Sequence, residues 1–179
     1  MQTLHLISTE KKLQLMEQML YSQENKTRIR FIAKKLGMNP GYVSVIIKKM
    51  EKEGILENGR IKNENPKIKA LKIVLNIEKI AKAWQKMRKT GILGFGIFGS
   101  WSKGTNTESS DLDVWIKTKN ELGVAELSRI RRILKQETGA PEISIIALTN
   151  KRIKELKNKD QLFYATLLNS FHIGGEQID

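Results

Sequence analysis

The chain of 179 residues has no cysteine, two histidines and three prolines. Without cysteine there is no disulfide, no thiol nucleophile and no Cys-ligated zinc. The histidines, His5 and His172, are separated and too few for a histidine metal cluster, so any metal must rest on carboxylates. No apolar run approaches the roughly 18 residues of a membrane-spanning helix. The N-terminus also lacks the basic stretch, apolar block and small-residue cleavage site of a secretory signal. A cytoplasmic protein with no membrane partner is therefore expected. Aromatic residues are scarce, yet the chain is 40% hydrophobic, enough for a sizeable core in one large or two small domains.

Positive charge is what the sequence has in excess, at a net +13. Residues 1–90 hold 20 of the 32 Lys and Arg but only 8 of the 19 Asp and Glu, so nearly all of it lies in the first half. Charge clustered in this way suits a polyanion, although solvated helix faces of a lysine-rich protein give the same composition.

Thr9 is placed to cap a helix through Tyr21, with Leu13, Met16 and Leu20 on one face. Thr27 is placed to cap a second helix with an apolar stripe of Ile29, Ile32, Ala33 and Leu36, stopped by Gly37. Asn39 caps a third, with Pro40 at its first position and Val43, Ile46, Ile47 and Met50 on the buried face, ending at Gly54. Asn58-Gly59, between Ile55-Leu56 and Arg60-Ile61-Lys62, supplies the two positive φ values of a tight hairpin turn.

Two short helices joined by Gly37-Met38-Asn39 and followed by a hairpin resemble the winged helix-turn-helix DNA-binding domains of transcription regulators, over about fifty residues. The resemblance makes the third helix a recognition helix that exposes Tyr42, Ser44, Val45, Lys48, Lys49 and Lys52, with Arg60 and Lys62 on the wing. Its lysines would meet phosphates, and Tyr42 and Ser44, near the helix N-terminus, would reach base edges. DNA or RNA is the implied partner, and a homodimer or a protein partner is compatible with the same surface. The alternative is a helical module that packs on the second half or on another protein.

Asn65-Pro66 starts a further helix with Ile68, Leu71 and Leu75 at helical spacing, and Asn76 is expected to break or re-cap it. A following helix carries Ile77, Ile80, Ala81, Trp84 and Met87 and ends at Thr90-Gly91, with Trp84 read as core. The expected organisation is a winged helix domain over 1–64, a helical connector over 65–90 and an α/β domain over 91–179.

The last of these opens with an apolar strand, Ile92 to Phe98, followed by Gly99-Ser100, a polar loop, and Asp111-Leu112-Asp113 at the mouth of a second apolar strand. Strand alternation puts Asp111 and Asp113 on one face, roughly 6 to 7 Å apart at Cα. Carboxylates so crowded repel unless a cation sits between them, and hard oxygen donors suit Mg²⁺. The bland reading is two solvated aspartates at the start of a surface strand. Gly99 permits a tight exit, and the N–H groups of Ser100 and Trp101 would form a phosphate-binding nest, with Lys103 in the loop as an added charge. Trp101 is read as packing or as a cover over a bound ligand; Trp115 shares the aspartate face. Beyond these, Glu121 to Glu137 reads as an amphipathic helix with Val124, Leu127, Ile130 or Ile133, and Leu134 apolar, stopped by Gly139. Pro141 to Leu148 reads as a third strand, one or two helices follow to Asn169, and Phe171-His172-Ile173 gives an edge strand, with His172 structural.

Gly99-Ser100, the spacer and Ser110-Asp111-Leu112-Asp113 resemble the nucleotidyltransferase superfamily that includes DNA polymerase β and the kanamycin and minimal nucleotidyltransferases, over about ninety residues from Gly91 onward. The resemblance implies an α+β protein whose C-terminal domain is a small mixed sheet. Gly99, Ser100, Lys103 and Ser110 would hold the phosphates of a nucleoside triphosphate, and Asp111 and Asp113 would bind one or two Mg²⁺ ions. Active members place a third carboxylate on the third strand; here the choice is Glu142, which would complete a catalytic and metal-binding triad, or Ser144, which would leave it incomplete. Three functions follow. The leading one is Mg²⁺-dependent transfer of a nucleoside monophosphate to a hydroxyl acceptor. The others are a DNA-binding regulator that binds nucleotide without turnover, and a protein-modifying member of a toxin-antitoxin pair.

Overall fold

A computed structural model describes residues 9–21, 28–88 and 91–178. Thr27, Thr90 and His5 lie outside them. The chain divides into two compact units, 1–70 and 71–179.

The first unit contains α1 (Glu10–Tyr21), α2 (Ile29–Lys35), α3 (Pro40–Lys52) and a hairpin of β1 (Leu56–Glu57) and β2 (Arg60–Ile61). The face that α1 buries is Leu15, Met16, Met19 and Leu20, one step round from the expected stripe, with Leu13 only half-buried. Helix α3 starts because Asn39 Oδ1 accepts the Gly41 N–H at 2.8 Å while Pro40 needs no partner. Val43, Ile46, Ile47 and Met50 are buried as the spacing predicts, each contributing roughly 1.5 to 3 kcal/mol relative to exposure. In the hairpin, Asn58 (φ 52°) and Gly59 (φ 74°) make the turn, pairing Leu56 with Ile61 and Glu57 with Arg60. This is a winged helix-turn-helix layout.

Helix α4 runs unbroken from Pro66 to Met87, capped by Asn65 Oδ1, which accepts the Lys67 N–H at 2.9 Å. The expected break at Asn76 does not occur: the residue is 1% exposed and its amide donates to another segment instead of competing for its own backbone. Most of α4 belongs to the second unit, where Ile80, Ala83 and Met87 enter the core and Trp84 stacks on Phe95 at 5.8 Å.

That unit continues with β3 (Ile92–Phe98), α5 (Gly99–Lys103), β4 (Leu112–Thr118), α6 (Val124–Thr138), β5 (Ile143–Leu148), α7 (Asn150–Lys159), α8 (Gln161–Leu168) and β6 (Phe171–Gly175). The sheet order is β5-β4-β3-β6; β4 and β5 are parallel, joined through α6, and β3 is antiparallel to both its neighbours. Phe95, Ile97, Leu112, Val114, Ile116 and Ile143 share a core with α4 and α6, while Trp115 and Leu148 pack with Ile153, Leu156, Tyr164 and Leu167 of α7 and α8. Val124, expected on the apolar stripe of α6, is 83% exposed at the helix's first residue, and burial begins at Ile130. The protein is thus α+β, with a helical winged helix unit and a mixed-sheet unit. Among the described residues no helix is long and apolar enough to cross a membrane.

Candidate functional site

The sheet unit's polar corner lies where β3 gives way to α5 beside the start of β4. Phe98 pairs with Asp113, and the next residue, Gly99, turns the chain with φ +68°. A Cβ on Gly99 would overlap Asp113 Oδ2, so only glycine allows both the turn and the approach. Ser100 follows in α5, half-buried, and Lys103 is exposed in its last turn. The Ser110 hydroxyl accepts the Thr107 N–H at 2.8 Å and lies 3.2 Å from Thr107 Oγ1, which closes the loop just before Asp111. Ser110 therefore shapes the loop. Trp101 is 5% exposed and belongs to the core, its indole N–H 3.4 Å from the Ser110 carbonyl. Trp115 is also buried, donating to Ser170 Oγ at 2.7 Å and stacking on His172 at 6.0 Å. Neither tryptophan lies open at the corner.

Asp111 is exposed and Asp113 half-buried. Burial, reinforced by the Asp111 charge, pushes the Asp113 carboxyl above the usual carboxylate range, and a hydrogen bond from Ser144 works against that shift. The parallel register sets Asp113 against Ser144. Ser144 thus occupies the third-strand position beside Asp113. As Asp111 lies one residue ahead of β4, so Glu142 lies one residue ahead of β5. Its carbonyl accepts the Leu112 N–H at 3.0 Å, and the residue lines a surface cavity of about 300 Å³ with Arg131, Arg132 and Lys135 of α6. Among the described residues, no three His, Asp or Glu come close enough together to share a metal ion. A triad completed by Glu142 is not formed.

The donors at the corner still fit a divalent cation. They are hard carboxylate oxygens, two like charges are held together at a cost that a cation would relieve, and the bare Gly99 Cα keeps a Cβ away from Asp113 Oδ2.

One buried cluster has no counterpart among the sequence-based expectations. Lys72 and Asn76 of α4 are each 1% exposed, as is Asn106 in the loop after α5. Lys72 Nζ donates to the Asn106 carbonyl at 2.9 Å, and Asn76 Nδ2 donates to the Trp101 carbonyl at 2.8 Å and to Asn106 Oδ1 at 2.9 Å. The signal available in the sequence was a lysine and an asparagine four residues apart on a helix that is otherwise apolar on that side.

In the first unit, α3 exposes Tyr42 (40%), Val45 (54%), Lys48, Lys49 and Lys52, while Ser44 is half-buried. Arg60 and Lys62 are exposed on the hairpin, and Lys62 Nζ meets Glu57 Oε1 at 3.0 Å. Tyr42, Lys48, Lys49 and Lys52 are thus presented together on one helix.

A mixed sheet with Gly-Ser at one strand end and Asp-x-Asp on its neighbour defines a nucleotidyltransferase-type domain, and the helix pair with its wing defines a DNA-binding type. Residues 77–169, just over half the chain, match the Nucleotidyltransferase domain family, and the chain belongs to it. Residues 18–65 match the MarR family, which gives the protein a MarR-type winged helix domain at its N-terminal end. No curated protein matches the chain.

Proposed function

We propose that this is a DNA-binding regulator whose nucleotidyltransferase domain binds a magnesium-complexed nucleoside triphosphate as a signal, without transferring its nucleotidyl group. The observation that carries this reading is the pairing of Asp113 with Ser144, where a third carboxylate would stand. Asp111 and Asp113 would hold the metal, and the backbone N–H groups at Gly99-Ser100 would face the phosphates. When bound, Mg²⁺ would neutralise charge on the triphosphate. The Ser144 hydroxyl donates its proton to Asp113 and is too weak a base to deprotonate an acceptor hydroxyl near neutral pH. On α3, Lys48, Lys49 and Lys52 would supply phosphate contacts, and Tyr42 a contact to a base edge.

A second reading, transfer of a nucleoside monophosphate, is supported by the corner where Gly99 turns the chain against the Asp113 carboxylate. In it an acceptor oxygen attacks the α-phosphorus and pyrophosphate leaves.

Calorimetric titration with ATP, CTP, GTP and UTP, in Mg²⁺ and in EDTA, tests the binding. Saturable binding that needs Mg²⁺ and disappears in Asp111→Asn is expected, together with a DNA affinity that differs between nucleotide-free and nucleotide-bound protein. Binding indifferent to both Mg²⁺ and Asp111, or no binding, overturns the proposal.

A further inference from the structure

We infer that Lys72 and Asn76 of α4 are positioning residues for the nucleotide site, holding in place the loop that joins its two halves; this rests on the nucleotide-binding reading above. The loop has Gly99-Ser100 before it and Asp111 after it, so the separation of phosphate nest and carboxylates depends on its shape. Its own hydrogen bonds close its ends: Thr105 N–H to the Ser100 carbonyl at 3.0 Å, and Thr107 N–H to Ser110 Oγ at 2.8 Å. Between them, Asn106 is drawn into the protein and held from α4.

The Trp101 carbonyl lies near the end of a helix of only five residues, where carbonyls run out of helical partners, and Asn76 Nδ2 supplies the missing donor. The same Nδ2 donates to Asn106 Oδ1, and one of the three Lys72 donors goes to the Asn106 backbone carbonyl. Burial lowers the Lys72 pKa, so an ammonium at this depth costs stability unless its bonds are made. An apolar pair would fill the space at no such cost. What lysine and asparagine add is direction: bonds to the Trp101 carbonyl and to the carbonyl and side chain of Asn106 select one loop conformation.

Asn76→Leu and Lys72→Met remove these donors while roughly keeping side-chain volume. Hydrogen exchange on the nucleotide-free protein is read beside Mg²⁺-ATP affinity, with wild type and Asp111→Asn as references. Expected are faster exchange of amides 104–110 with β3 and β4 unchanged, and affinity about tenfold weaker or more in Asn76→Leu and Lys72→Met. A general loss of stability would speed exchange in the strands as well. If Asn76→Leu fails to fold, Lys72→Met reads the same loop, and Asn76→Ser serves should both fail. Folded variants with wild-type loop exchange and wild-type affinity overturn the inference. Loss of loop protection with unchanged affinity overturns it too, leaving a structural clamp only. Failure of wild type to bind, or binding untouched by Asp111→Asn, sinks the nucleotide site itself.

Discussion

Ser144 stands opposite Asp113 in the parallel β4–β5 ladder, and its hydroxyl donates to the Asp113 carboxylate. The hydroxyl thereby stabilises the charge that burial and Asp111 disfavour. Two influences that raise the pKa against one that lowers it make the titration of this carboxyl a sensitive reporter of the site.

Removing the Asp111 charge should lower the Asp113 pKa, and removing the Ser144 hydroxyl should raise it. Carboxyl ¹³C chemical shifts against pH in Asp111→Asn and Ser144→Ala read both directions. Because the folded pKa lies above the unfolded one, Asp113 contributes stability at low pH that is lost as pH rises through the folded pKa. Asp111→Asn should therefore have a higher Tm than wild type near pH 7 in EDTA, with the difference shrinking as pH falls and the Asp113 carboxyl takes up its proton. A lower Tm near pH 7 would mean that the two charges are not in conflict.

Gly99→Ala places a methyl group against Asp113 Oδ2 and strains a backbone at φ +68°. A loss of about 1 to 2 kcal/mol in unfolding free energy is expected from the left-handed backbone alone, with Mg²⁺-nucleotide affinity falling at least tenfold. Chemical denaturation and calorimetry check the two effects separately. Unchanged affinity in the folded variant would remove Gly99 from the site.

Lys48, Lys49 and Lys52 lie exposed on α3, and on the DNA-binding reading each sits at a phosphate. Replacing all three by alanine should weaken duplex binding and flatten the dependence of log affinity on log salt by roughly 0.9 for each phosphate no longer neutralised. Fluorescence anisotropy at several salt concentrations measures the slope. A slope equal to that of wild type would place the DNA elsewhere.

Much of the fold was legible because local chemistry dictated it. Asn39-Pro40 and Asn65-Pro66 start helices by side-chain caps, Asn58-Gly59 makes the hairpin turn, and Gly139 ends α6 at φ 71°. The closeness of two like charges was also legible from Asp-x-Asp, and the Asp111 charge does act on the Asp113 carboxyl. What the sequence left open depended on distant partners. Asn76 looks like a helix breaker until its acceptors 25 and 30 residues away are known. The choice between Glu142 and Ser144 turned on the β4–β5 register, which sets Ser144 against Asp113. Residues 99–103 read as loop and form α5, whose helical partners are too few to leave a periodic signature.

The most direct test of the account is incubation with nucleoside triphosphates labelled at the α-phosphate, with Mg²⁺ and with DNA, RNA and protein offered as acceptors, using wild type, Asp111→Asn and Ser144→Asp. Wild type is expected to retain the nucleotide reversibly and to pass no label to any acceptor, Asp111→Asn to retain none, and Ser144→Asp to be the variant that gains label transfer. Covalent transfer by wild type that vanishes in Asp111→Asn would contradict the account and establish the chain as an active nucleotidyltransferase.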